Sequence, residues 1–172
     1  MNKSLLTGAV LGTLCFVCCL LLRRKIMKRH LRRELCRALL IGWIVFVCCP
    51  AFMLDNGYSD INLVPFKAFQ MYLRVLEMGG YRYLFINVAG NVLLFSPVGF
   101  LLPLVLKKCG FWKAAAGGFL FSLFIELVQL LLPRCSDVDD LILNTLGAMI
   151  GYGIYALIKK WAAGNNSENK ET

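Results

Sequence analysis

The stretch NVAGNVLLF, residues 87–95, puts two asparagines one helical turn apart inside a run apolar enough to cross a membrane. Around it, residues 83–106 are almost wholly aliphatic, aromatic or glycine. A spanning helix needs roughly 20 such residues to cross a hydrocarbon core about 30 Å thick. Four further runs meet that need approximately, at 4–22, 38–54, 111–132 and 138–158. The 172-residue chain is 59% apolar and 17% charged, a balance that belongs to membrane proteins. The predicted fold class is therefore all-α: a polytopic integral membrane bundle of about five transmembrane helices.

The first run is expected to be a retained helix and not a cleaved secretory signal. It has no small-x-small cleavage site and ends in RRKIMKRHLRR, a stop-transfer flank. The net charge of +9 is read by where it lies. Segment 23–37 holds eight lysines and arginines against one acid, Glu34. Short basic loops stay cytoplasmic, which places this segment inside and the N-terminus outside. Alternation then puts 107–113 and the C-terminal tail inside, and 55–82 and 133–137 outside. Fourteen lysines and arginines fall inside and five outside, so the arrangement is consistent throughout. The basic segment is a topology signal that also suits anionic lipid headgroups, and nucleic acid is not an expected partner.

Three regions follow: an N-terminal helix and basic segment (1–37), a membrane domain (38–158), and a polar, disordered cytoplasmic tail (159–172). Between the second and third spans, INLVPFKAFQMYLRVLEM (61–78) carries Phe66, Phe69, Leu73 and Leu76 at helical spacing, with Lys67, Arg74 and Glu77 mostly off that line. This predicts an amphipathic outer helix, lying on the membrane surface or packed on the bundle. Five of the eight cysteines, Cys15, Cys18, Cys19, Cys48 and Cys49, lie within spans and act as small apolar residues. The single histidine, His30, lies in the basic segment.

Intramembrane polar residues are costly and need a partner or a task. Asn87 and Asn91 share one face of the third span. Ser122, Glu126 and Gln129 share a face of the fourth, and Asp140 and Asn144 a face of the fifth. Counted at about 1.5 Å per residue, all fall in the outer half of the bilayer or near its midplane, where converging faces would form an outward polar pocket. A buried carboxylate such as Glu126 must be protonated, paired or held by several donors. Arg134 is the nearest cation in sequence, and Asn87, Asn91 and Gln129 offer amide donors. Asp137, Asp139 and Asp140 suit either a divalent cation or the amides at the start of the fifth helix. Pro97, Gly99 and Pro103 predict a kink that frees carbonyls. Gly147, Gly151 and Gly153 predict close helix contact.

The ordered motifs NLVPF (62–66), NVAGNVLLFSPVGFLLP (87–103), IELVQ (125–129) and RCSDVDDLILNTLGAMIGY (134–152) resemble the VanZ-like membrane protein family over approximately residues 55–155. The resemblance implies an envelope protein of Gram-positive-type bacteria, in a family whose namesake is linked to resistance to the glycopeptide teicoplanin. Carried over by motif, it stresses Asn62, Pro65, Phe66, Asn87, Gly90, Asn91, Pro97, Glu126, Gln129, Arg134, Asp137, Asp139, Asp140 and Asn144.

Three functions are compatible with these residues. The first is a binding protein whose outward pocket engages a membrane lipid or lipid-linked cell-wall precursor headgroup and so contributes to teicoplanin-type resistance. The second is an intramembrane enzyme acting on a lipid or lipid-linked substrate, with Glu126 as acid or base, Arg134 holding phosphate and the aspartates a metal. No recognised nucleophile motif accompanies it. The third, a transporter, lacks an inverted repeat, although a homo-oligomer would supply further helices.

Overall fold

The computed structural model describes residues 29–53, 60–132 and 135–171. The first apolar run, residues 23–28 of the basic segment, and Arg134 lie outside the described residues. Within them the chain forms α1 (Arg29–Met53), β1 (Asp60–Asn62), α2 (Lys67–Glu77), a short α3 (Tyr81–Leu84), a π-helical turn (Phe85–Ala89), α4 (Gly90–Val105), α5 (Phe111–Gln129), β2 (Cys135–Asp137) and α6 (Val138–Glu171). Among the described residues, three segments are long and apolar enough to span a membrane: Phe85–Val105, Phe111–Gln129 and Val138–Gly164. The apolar run that starts at Ala38 lies on α1. The molecule is an all-α membrane bundle, and α6 continues helical through the polar residues after Ile158 to Glu171.

Which side chains face inward follows from helix periodicity. On α1, the buried residues Cys36, Leu40, Trp43 and Val47 recur every three or four positions and form one stripe. Trp43 fixes that stripe to α4 by donating its indole N–H to the Leu94 carbonyl at 2.8 Å. Large apolar side chains elsewhere point away from the protein, among them Leu93, Leu120, Phe124, Leu127 and Leu157. In a bilayer these are the lipid-facing positions, so their exposure costs nothing.

Small residues decide how closely α4, α5 and α6 approach. A Cβ at Gly99 of α4 would stand 1.8 Å from the Ala148 carbonyl oxygen of α6, and one at Gly151 of α6 would stand 1.9 Å from the Ser96 carbonyl oxygen of α4. The two backbones touch only because both side chains are absent. Gly147 contributes to the same contact, against Val92. Gly153 does not: an added Cβ there meets nothing within 4 Å, so the expected contact at that position is corrected. Two residues further along a helix is a rotation of roughly 200°, which turns Gly153 to the opposite face.

Pro97 and Pro103 both lie inside α4, which runs through them unbroken. Proline at 97 removes the N–H that would have bonded the carbonyl four residues earlier, at Leu93. Ser96 supplies the replacement, its hydroxyl donating to the Leu93 oxygen at 3.2 Å. A neighbouring hydroxyl thus keeps the helix intact at a point where lipid offers no donor.

Helix α2 attaches through its buried residues Ala68 and Tyr72. Its apolar arc is wider than that contact, and Phe69 and Leu73 on the flank remain uncovered, as do Leu63, Val64 and Phe66 before it. This is the pattern of an interfacial helix more than of one sunk into the bundle.

Candidate functional site

The polar residues of the spans gather at one end of the bundle, where α4 begins, α5 ends and α6 begins. That end is tied down by β1 and β2, which pair in parallel with Asp60 opposite Cys135, Ile61 opposite Ser136 and Asn62 opposite Asp137. The pairing binds the segment before α2 to the connection between α5 and α6. Asn62 reinforces it by donating its amide to Asp137 Oδ1 at 2.9 Å.

Glu126 is buried near the end of α5, one turn from the fully buried Ser122. Its Oε2 accepts the Ser136 hydroxyl at 2.7 Å and the backbone N–H of Asp137 at 3.0 Å. These donors stabilise a carboxylate in a place that excludes bulk water. The sequence had proposed Asn91 as a donor to Glu126. The structure corrects this: Asn91 donates instead to Asp140 Oδ1, at 2.6 Å, and so joins α4 to α6. Gln129 is buried on the same side of α5, and Asn87 is half-buried in the π-helical turn. Such turns are frequent where a helix must re-aim a side chain at a site.

The three aspartates have separate tasks. Asp137 caps its own helix, accepting the N–H of Asp139 at 2.9 Å. Asp139, only 4% exposed, caps a different helix. Its two oxygens accept the N–H groups of Phe66, Ala68 at 2.8 Å and Phe69 at 3.3 Å, the orphan donors at the start of α2. The preceding residue of α2, Phe66, cannot cap with its own side chain, and it stands in the left-handed region at φ 64°. For a bulky residue that conformation costs about 1–3 kcal/mol, and the Asp139 clasp is what holds it. Asp140 faces Asn91. Among the described residues no three acidic, histidine or cysteine side chains are placed to hold a metal ion.

Deeper in the bundle, Asn144 of α6 donates to Ser122 Oγ of α5 at 2.9 Å. Its other amide atom, Oδ1, is buried without a partner among the described residues. Of the site residues expected from sequence, Asn62, Glu126, Asp137 and Asp139 are joined with Ser136 by hydrogen bonds, while Asn91 with Asp140 and Asn144 with Ser122 make two separate bonds between spans. Arg134 lies outside the described residues. Two participants were not expected: Ser136 as the hydroxyl donor to Glu126, and the backbone of residues 66–69 as the ligand of Asp139. An open groove lies on another face, lined by Tyr81, Arg82, Phe85, Val88, Ala89 and Val92. It is almost entirely apolar and shares no residue with the polar assembly.

Comparison with known proteins matches the same region. A protein-family model described as VanZ/LLP1 matches residues 35–159, which takes in most of α1 as well as the motif-bearing helices. The chain is 32% identical over 102 residues to Protein VanZ of Enterococcus faecium, covering 59% of this chain. It spans about half of that relative, 55% of its length. It is also 29% identical over 132 residues to the uncharacterized membrane protein YwnJ of Bacillus subtilis (strain 168), covering 72% of this chain and 92% of the other. No solved structure matches.

Proposed function

The chain belongs to the VanZ/LLP1 family, and we propose that its polar end faces outward from the cell membrane, engages a lipid or lipid-linked cell-wall precursor headgroup, and contributes to resistance to teicoplanin-type glycopeptides. The observation that carries this reading is the set of side-chain hydrogen bonds at one end of the bundle, Ser136 to Glu126, Asn91 to Asp140 and Asn144 to Ser122, in which three spans and the α5–α6 connection present polar groups. Buried polar networks of this kind are costly in lipid and mark functional sites. The outward direction is supported by the distribution of lysine and arginine, fourteen on the opposite side against five on this one. The exposed apolar residues of α2 and the preceding segment suit the outer headgroup boundary, where such an assembly would meet a headgroup.

In this role Glu126 organises the site. Its oxygen holds Ser136 and Asp137, which position β2, and β2 in turn positions Asn62 and the start of α6. The same two donors fix the carboxylate in place, which suits binding better than proton transfer. Deleting and overproducing the protein tests the reading: teicoplanin susceptibility should rise on deletion and fall on overproduction, and no change in either direction overturns it. An enzymatic reading is separated by lipid and wall-precursor profiles of cells carrying Glu126→Gln, where unchanged profiles exclude catalysis by that carboxylate.

A further inference from the structure

The open groove beside the polar end is built along one continuous helical face. Tyr81 and Arg82 come from α3, Phe85, Val88 and Ala89 from the π-helical turn, and Val92 from the first turn of α4. Its volume of about 740 Å³ falls within the roughly 300–1,000 Å³ of ligand sites. Tyr81, Arg82 and Phe85 are exposed, while Val88, Ala89 and Val92 are half-buried, so the groove is open at its outer end and more enclosed inward. At about 1.5 Å per residue it follows the helix for roughly 16 Å, about half the hydrocarbon thickness of a bilayer. The spanning segment begins at Phe85, which leaves Tyr81 and Arg82 at headgroup level and the other four residues within one leaflet. The inner end is Val92, whose backbone lies against Gly147 of α6. Arg82 stands at the mouth with no acidic partner; the ion pair among the described residues joins Arg37 to Glu34.

We propose that this groove seats an acyl chain of an anionic phospholipid, with the Arg82 guanidinium on the headgroup phosphate. A spanning helix, from a partner or a second copy, needs a track about 30 Å long, nearly twice what the groove offers. An acyl chain stays within one leaflet and asks for an apolar floor with a polar contact at one end only. That is the distribution here, from Arg82 at the mouth to Val92 at the inner end. Guanidinium is weakly hydrated and donates paired N–H groups to phosphate, and Tyr81 beside it is of a type enriched at the membrane interface. A choline headgroup brings its own cation next to Arg82, so a net negative headgroup is favoured. The groove shares no residue with the hydrogen-bonded groups of the polar end. It is therefore a second lipid site, and it rests on the outward reading above only for the leaflet it meets.

The test uses the full-length protein in bilayer nanodiscs of equal phosphatidylglycerol and phosphatidylcholine with identical chains. A photoreactive benzoylphenylalanine replaces Phe85 in the groove or, as a control, Leu127, which is exposed near the same end of α5 but outside the groove. Mass spectrometry of the adducts reads the ratio of the two lipids at each position. The expected ratio at position 85 exceeds that at 127 by about fivefold in favour of phosphatidylglycerol, which corresponds to about 1 kcal/mol for a basic residue at an anionic surface. Arg82→Gln should bring the two ratios together; its side chain is exposed, and thermal melting checks that the variant is folded. Ala89→Leu, which fills the floor, should lower lipid capture at 85 and leave 127 unchanged. Equal ratios at the two positions overturn the proposal, as does a preference that survives Arg82→Gln. Capture at 85 of another segment of this chain or of a second copy, in place of lipid, also overturns it. Teicoplanin susceptibility takes no part in these readouts, so failure here leaves the resistance reading standing, and failure of resistance leaves this one standing.

Discussion

Replacing Gly151 by alanine should separate α4 from α6. The new Cβ would stand 1.9 Å from the Ser96 carbonyl oxygen, 2.8 Å from its carbon and 3.0 Å from the Phe100 nitrogen. All three are backbone atoms of a helix, so no side chain can rotate aside. Restoring the 3.4 Å of ordinary contact requires a shift of about 1.5 Å. A shift of that size across the interface would also stretch the 2.6 Å bond between Asn91 and Asp140 beyond hydrogen-bond range. Overpacking of well-fitted interiors costs about 1–3 kcal/mol, and unyielding backbone on one side puts this case near the upper end. For a chain of this length each kcal/mol corresponds to roughly 2–4 °C, so the midpoint should fall by roughly 6–12 °C. Thermal unfolding in mild detergent, followed by tryptophan fluorescence, measures it. Gly153→Ala is the internal control, since nothing lies within 4 Å of its added Cβ. There the better helix propensity of alanine should leave the midpoint unchanged or slightly higher. If both variants melt with the wild type, the close α4–α6 contact is refuted.

Trp43→Phe keeps most of the ring but loses the donor to Leu94, and should cost about 1 kcal/mol in the same melt. Asp139→Ala removes the acceptor for three N–H groups of residues 66–69, so limited proteolysis within 60–78 should accelerate, with about 1–2 kcal/mol of local stability lost as for a helix cap. In a background without the native cysteines, Leu63→Cys should react with an impermeant thiol reagent in intact cells, and Lys107→Cys only after lysis. The reverse pattern would invert the orientation and the outward reading with it.

The membrane helices were legible because apolar runs and the length of a span are properties of the chain alone. Membership of the polar assembly was legible for a related reason: Asn91, Glu126, Asp140 and Asn144 stand out against an apolar background. Their pairing was not. Whether Asn91 meets Glu126 or Asp140 depends on how far α4 is rotated against α5 and α6, and that rotation is set by the Gly99 and Gly151 contacts. Nor does any local pattern announce that Asp139 will cap a helix 70 to 73 positions earlier. The sequence near Asp139 offered its own helix as the nearer client, and Asp137 took that role. The strand pair is three residues long on each side, too short to show an alternation. Gly153 was grouped with Gly147 and Gly151 by composition, although its position on the helix turns it away.

Glu126→Gln keeps the side chain's volume and removes its charge from the two donors that hold β2. The decisive measurement is the teicoplanin susceptibility of cells that lack the native protein and carry this variant at wild-type membrane abundance. The account predicts susceptibility equal to that of the deletion. Resistance equal to wild type would show that the polar end serves only to bond the helices together.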